Sequence, residues 1–171
     1  MSQQNVTDGS SLRALVHKDE SDPMACIGLV SDLEALQKAT ALIGRHAEAV
    51  ILIHDITQLY DYVARIPEIA WDLMEFAEKP LTLIMGEGKN VPENLLRDGG
   101  EIAITLVKEP VLLKHLKGKR HAHFYLPLDD QVQNEEILSP IDNVIILQQK
   151  YLSSSQAKTA RLGLDGSIKF I

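Results

Sequence analysis

The chain has 171 residues, a formal net charge of −7, 45% apolar residues and one cysteine, Cys26. That length lets one domain bury a core without metal or disulfide staples, and a lone cysteine excludes an intramolecular disulfide. The acidic balance opposes non-specific nucleic-acid binding over the whole surface, which needs Lys and Arg against phosphate, and no apolar run reaches the roughly 18–20 residues of a membrane-spanning helix.

Residues 1–11 read as a disordered leader and 12–171 as one domain. The leader, MSQQNVTDGSS, lacks the basic-then-apolar order of a secretion signal, so a cytoplasmic location is expected. Leu12–His17 is a short helix or strand, Asp19–Pro23 a polar break and Met24–Val30 an apolar strand. Ser31 or Asp32 offers an N-cap for a helix in which Leu33, Leu36, Ala39, Thr40 and Ile43 keep helical spacing until Gly44. Ala49–Ile53 is a buried-strand candidate. Asp55 or Thr57 caps a helix carrying Leu59, Tyr62 and Val63. Pro67 suits the first turn of another, with Ile69, Leu73, Phe76 and Ala77 on one face and a break at Glu78–Pro80.

Leu81–Met85 reads as a strand, Gly86–Asn90 as its exit loop, and Val91–Leu96 as a short helix begun by Pro92. Asp98–Gly100 is a turn before the strand Ile102–Val107. Pro110 starts a helix that Gly118 ends. His121–Leu126 and Ile141–Leu147 are strands, while Pro127–Asn134 and Ser153–Lys158 are loops. Asp165-Gly166 favours a tight turn between Ala160–Leu164 and Ser167–Ile171. Strands that alternate with helices and close on a hairpin predict an α/β (α+β) fold.

Several residue groups carry candidate chemistry. His121 and His123 sit two apart, which on a strand places both imidazoles on one face as half a metal site; neutral surface histidines are the simpler account, and no metal is assigned. Lys114, Lys117, Lys119 and Arg120 are candidate RNA or phosphate contacts, although cations at a helix C-terminus also suit its dipole. Phe124 and Tyr125 are the only aromatics beside them, weak support for base stacking. Lys89 lies in a loop that does not match a phosphate-binding Gly-rich motif. Cys26 has no identifiable activating partner. Trp71, Leu73 and Phe76 read as core packing, and His54-Asp55 as an incidental His beside a helix cap.

Three segments carry a family resemblance: Ile66–Ile84, with Trp71 and Lys79-Pro80-Leu81-Thr82; Asp98–Val107; and Ile141–Val144 through Leu164–Lys169. From roughly Ile27 onward the chain resembles the YrdC/YciO family, whose active members condense threonine, bicarbonate and ATP into threonylcarbamoyl-AMP for tRNA modification. The resemblance implies a YrdC/RibB-like twisted mixed sheet with helices packed against it and a concave central surface. Because the substrates are anions, cations and hydrogen-bond donors must converge on them.

At the family's anion-handling positions this chain differs. Its proline- and threonine-bearing loop falls on Asp19–Gly28, where Asp22 and Ile27-Gly28 survive. The lysine–arginine clamp falls on Ile43-Gly44-Arg45, which keeps the arginine alone. The strand arginine falls on Thr105, the serine–asparagine nucleotide motif on His123–Leu126, and a late proline–serine segment on Gln156-Ala157-Lys158. The expectation is a protein with no catalytic residues left, with substrate-binding remnants at Asp22, Arg45, Lys79 and Thr82. Two alternatives stand beside it: an active synthase with a rearranged site, and a non-catalytic interaction or regulatory module. ATP and Mg2+ are implied only if the activity survives. The partners considered are RNA or a nucleotide, a protein partner or a second copy, and no membrane.

Overall fold

The computed structural model describes residues 24–43, 49–127, 145–148 and 158–171. Residues 1–23, with Asp22, residues 44–48, with Gly44 and Arg45, and residues 128–144 and 149–157 lie outside the described residues. The strands are β1 (Met24–Leu29), β2 (Val50–Ile53), β3 (Leu81–Met85), β4 (Ile102–Leu106), β5 (His123–Pro127), β6 (Ile145–Gln148), β7 (Lys158–Leu162) and β8 (Ile168–Phe170). Among the described residues they form one mixed sheet in the order β6-β1-β5-β2-β4-β3-β7-β8. Two neighbouring pairs, β2–β4 and β3–β7, are parallel; the other five are antiparallel.

The helices are α1 (Leu33–Ile43), α2 (Leu59–Tyr62, continuing a 3-10 turn at Ile56–Gln58), α3 (Ile69–Phe76) and α4 (Pro110–Lys117). Their starts follow local chemistry. Asp32 Oδ1 accepts from Ala35 N at 3.0 Å at the head of α1. Asp55 forms a capping box with Gln58 ahead of α2. Glu109 caps α4 by accepting from Leu112 N at 2.7 Å, with Pro110 in the first turn and Gly118 after the end.

The sheet is covered on both faces, which is why its central strands read as nearly continuous apolar runs. One face carries Cys26, Ile51, Ile53, Leu83, Met85, Ile104 and Phe124, packed with Leu36 of α1, Leu59 and Tyr62 of α2 and Met74 of α3. The other carries Ala25, Ile27, Leu52 and Tyr125, packed with Leu112 and Leu116 of α4. The Tyr62 hydroxyl, accepting from Ala122 N at 2.9 Å, ties α2 to the start of β5.

Four sequence expectations need correction. Leu33 and Phe76 are 57% and 73% exposed and do not face the core. The buried stripes are Ala35–Leu36 and the i, i+4 pair Ala70–Met74, with Ile69 and Leu73 flanking, so the helix phase turns Phe76 outward. The predicted helix at Val91–Leu96 is only a 3-10 turn at Glu93–Leu95. Lys158 opens β7 and does not belong to a loop, because its N–H bonds to the Pro80 carbonyl and starts the parallel ladder.

Candidate functional site

The strand registers bring together residues far apart in sequence. Thr159 pairs with Thr82, Thr82 with Thr105, Thr105 with Leu52, Leu52 with His123 and His123 with Leu29. Directly paired residues project to the same side of a sheet, so these form one row across the face that α4 covers. The row joins three positions the resemblance singles out: Thr82, Thr105 and the start of the His123–Leu126 stretch. No periodicity in the sequence could reveal it, since strand order is set by long-range pairing.

The groups in this row are neutral. Thr105 is 4% exposed, and its hydroxyl lies 2.6 Å from that of Thr82. His123 is buried, and its pKa is pushed down to about 3, first by burial and then by positive charge on His115, Lys119 and His54. Among the described residues the row carries no lysine or arginine. One pleat further along the same face, Ile84 pairs with Arg161, whose Nε donates to Glu101 at 2.9 Å.

The two described remnants do not converge. Lys79 lies on the far side of the sheet from Thr82, in a groove it shares with Leu73, Leu81, Lys158 and Phe170. Leu81 packs into the α1–α3 core, and alternation sends Thr82 the opposite way.

The aromatic pair beside the basic run is buried and split between the two cores: Phe124 packs with α1–α3 and Tyr125 with α4. Phe124 presses on Gly28, where an added Cβ would stand 2.6 Å from the ring tip. Neither ring is a stacking platform. Of the two histidines expected to be neutral surface groups, His121 is exposed and His123 is not. β5 begins at His123, so His121 precedes the strand and the two do not share a strand face. Among the described residues no group of three His, Cys, Asp or Glu side chains could hold a metal.

A cationic corner does form where α4 ends and β5 begins. Lys114, Lys117, Lys119 and Arg120 are all exposed there. The His115 and His123 rings lie 5.6 Å apart, and His54 Nε2 is 3.3 Å from the Lys119 carbonyl. The Thr57 hydroxyl and N–H hold the Asp55 carboxyl below its usual pKa, with help from His54 and Lys117. Cys26 is buried, and burial raises its thiol to about 12, which leaves no nucleophilic thiolate at neutral pH. No helix among the described residues is long and apolar enough to cross a membrane.

The family model for Sua5, YciO and YrdC proteins, described as "Telomere recombination", matches residues 17–124, more than half of the chain. No curated protein matches. Among solved structures, full-length HypF in its phosphate- and nucleotide-bound form is similar at 11% identity and a TM-score of 0.63, over 96% of this chain and 24% of that one. A doubly substituted P. abyssi Sua5 gives 16% and 0.61, over 90% of this chain and 52% of that one. E. coli YciO gives 15% and 0.60, over 94% and 85%. The chain thus spans about a quarter of HypF and about half of Sua5. These likenesses establish the fold, in agreement with the mixed sheet expected from sequence.

Proposed function

From the membership of this chain in the Sua5/YciO/YrdC family, we propose that it is a divergent homologue that has lost threonylcarbamoyl-AMP synthesis and keeps the scaffold. One observation carries this reading. Thr105, which stands where the resemblance implies an anion-binding arginine, is buried with its hydroxyl committed to Thr82. The pair is neutral, and its hydrogen bond uses one of its two O–H donors, so it offers one uncharged donor where a guanidinium would bring a full charge and five N–H groups. Loss of one preorganised donor costs about 2–4 kcal/mol of transition-state stabilisation, or roughly 10²–10³ in rate. The neutral His123 and the separation of Lys79 from Thr82 point the same way.

The test is direct. The full chain is incubated with threonine, bicarbonate, ATP and Mg2+, and threonylcarbamoyl-AMP is measured by mass spectrometry. No product above the uncatalysed background is expected, and ATP is not expected to raise the melting temperature. Turnover on the order of 1 s⁻¹ or faster would overturn the reading.

The exposed cations of the α4–β5 corner favour a second reading, in which the protein contacts RNA phosphates without reading bases. Burial of Phe124 and Tyr125 removes the stacking that base recognition needs. Lys114, His115 and Lys117 lie in the last turn of α4 and also suit its dipole, so Lys119 and Arg120, beyond the helix, weigh most in this reading.

A further inference from the structure

A cavity of about 470 Å³ lies between the exit of β3 and the β7–β8 hairpin, a volume suited to a small molecule. It does not include Thr82, Thr105 or His123. Five charged side chains line it: Arg65, Glu87, Glu101, Arg161 and Lys169. Arg65 Nε and Nη2 donate to Glu87 Oε2 and Oε1 at 2.6 and 2.9 Å. Arg161 Nε and Nη2 donate to Glu101 Oε2 and Oε1 at 2.9 and 3.3 Å. Each fork is held in a fixed plane by two bonds, yet each guanidinium has five N–H groups, so donors remain on both. Each carboxylate keeps lone pairs. Lys169 pairs with Arg161 in the β7–β8 ladder and brings an excess of one positive charge to the lining.

The loop at the cavity mouth is built against its own backbone preference. Glu87 has φ +59°, a left-handed conformation that glycine holds without steric cost, and Gly86 and Gly88 stand on either side of it. An exposed ion pair stabilises little by itself. Asn90 of the same loop has φ +60°, and the two Arg65 bonds fix the Glu87 carboxylate at the cavity mouth.

We propose that this cavity binds a sugar-sized hydroxylated molecule bearing one carboxylate or phosphate group. Lys169 and the unused guanidinium N–H groups take the anion. Glu87 and Glu101, acceptor-only when ionised, take hydroxyl donors through their remaining lone pairs. Leu164, 54% exposed, supplies apolar surface for the carbon skeleton. This assignment is independent of the lost synthase chemistry, because it uses none of the same side chains.

The test uses the full chain with isotope-labelled arginine at low ionic strength, and follows the Nε–H resonances of Arg65 and Arg161 by NMR. Gluconate and glucose 6-phosphate are the probes; glucose and inorganic phosphate are the controls. At least one probe is expected to shift both resonances saturably, and which one binds more tightly identifies the anion. Lys169→Met, at an exposed position, is expected to keep the melting temperature and weaken that binding about tenfold. The proposal is overturned if neither probe saturates, if glucose or phosphate alone binds as well as the probes, or if Lys169→Met binds like the parent chain.

Discussion

The hydroxyls of Thr82 and Thr105 lie 2.6 Å apart, partners across β3 and β4 at a directly paired position. On the proposed reading, this contact leaves a neutral pair where the family resemblance implies a cation. Thr105→Val is expected to destabilise the fold by about 1 kcal/mol, the usual net value of one such hydrogen bond. Thr105→Arg restores the implied cation at a position only 4% exposed. It is expected to cost about 3 kcal/mol or more, because the charge is buried without a partner. Urea denaturation measures both. A well-folded Thr105→Arg protein that ATP stabilises would mean that the face is open and the site recoverable.

The Phe124 ring occupies the space a side chain at residue 28 would need. Gly28→Ala is therefore expected to lose about 1–3 kcal/mol through overpacking. Phe124→Leu trims the ring and destabilises on its own account. Combining the two should cost less than the sum of the separate losses, because the smaller side chain makes room for the methyl group. Strict additivity in a double-mutant cycle would show that the contact does not limit residue 28.

His123 gives stability a pH dependence of definite sign. Its folded-state pKa of about 3 lies below the value of about 6.5 expected of an unfolded chain. Between those values the unfolded state takes up a proton that the folded state refuses. Its contribution is therefore complete above about pH 6.5 and is lost as pH falls toward 3, with a slope of at most about 1.4 kcal/mol per pH unit. Urea midpoints across this window should fall less steeply with acidification in His123→Gln. Parallel profiles for the two proteins would place the proton uptake elsewhere.

The phosphate-contact reading of the α4–β5 corner predicts salt-sensitive binding to single-stranded RNA. Lys117→Glu with Arg120→Glu should weaken it and reduce the log–log salt slope by about 1–2, at roughly 0.7 per lost contact. Both residues are exposed, and Lys117→Glu puts an anion at the α4 C-terminus, so the stability loss should stay within about 1 kcal/mol of the parent chain. Unchanged affinity would leave the cations as decoration of the α4 C-terminus.

Much of the fold was legible because its signals are local. Asp55, Pro110, Gly118 and Asp165-Gly166 act within a few residues, and each marks the boundary expected of it. Side-chain direction is not a local property. Phe76 and His121 carry the composition of their neighbours but not their facing, since the phase of a short helix or the first residue of a strand depends on what packs against it. The Arg161–Glu101 pair spans 60 residues and left no trace in local pattern.

The amino-acid sequence alone determined the order of the strands and longer helices and the family, because periodicity, turn chemistry and motif order survive in one dimension. Tertiary structure decided which residues meet. It set Thr82 beside Thr105 and in line with His123, sent Lys79 to the opposite face, and gathered five charges from separate segments around one cavity. The physical reason is that strand order and register arise from pairing between distant segments, and a shift of one residue would reverse the facing of every side chain on a strand.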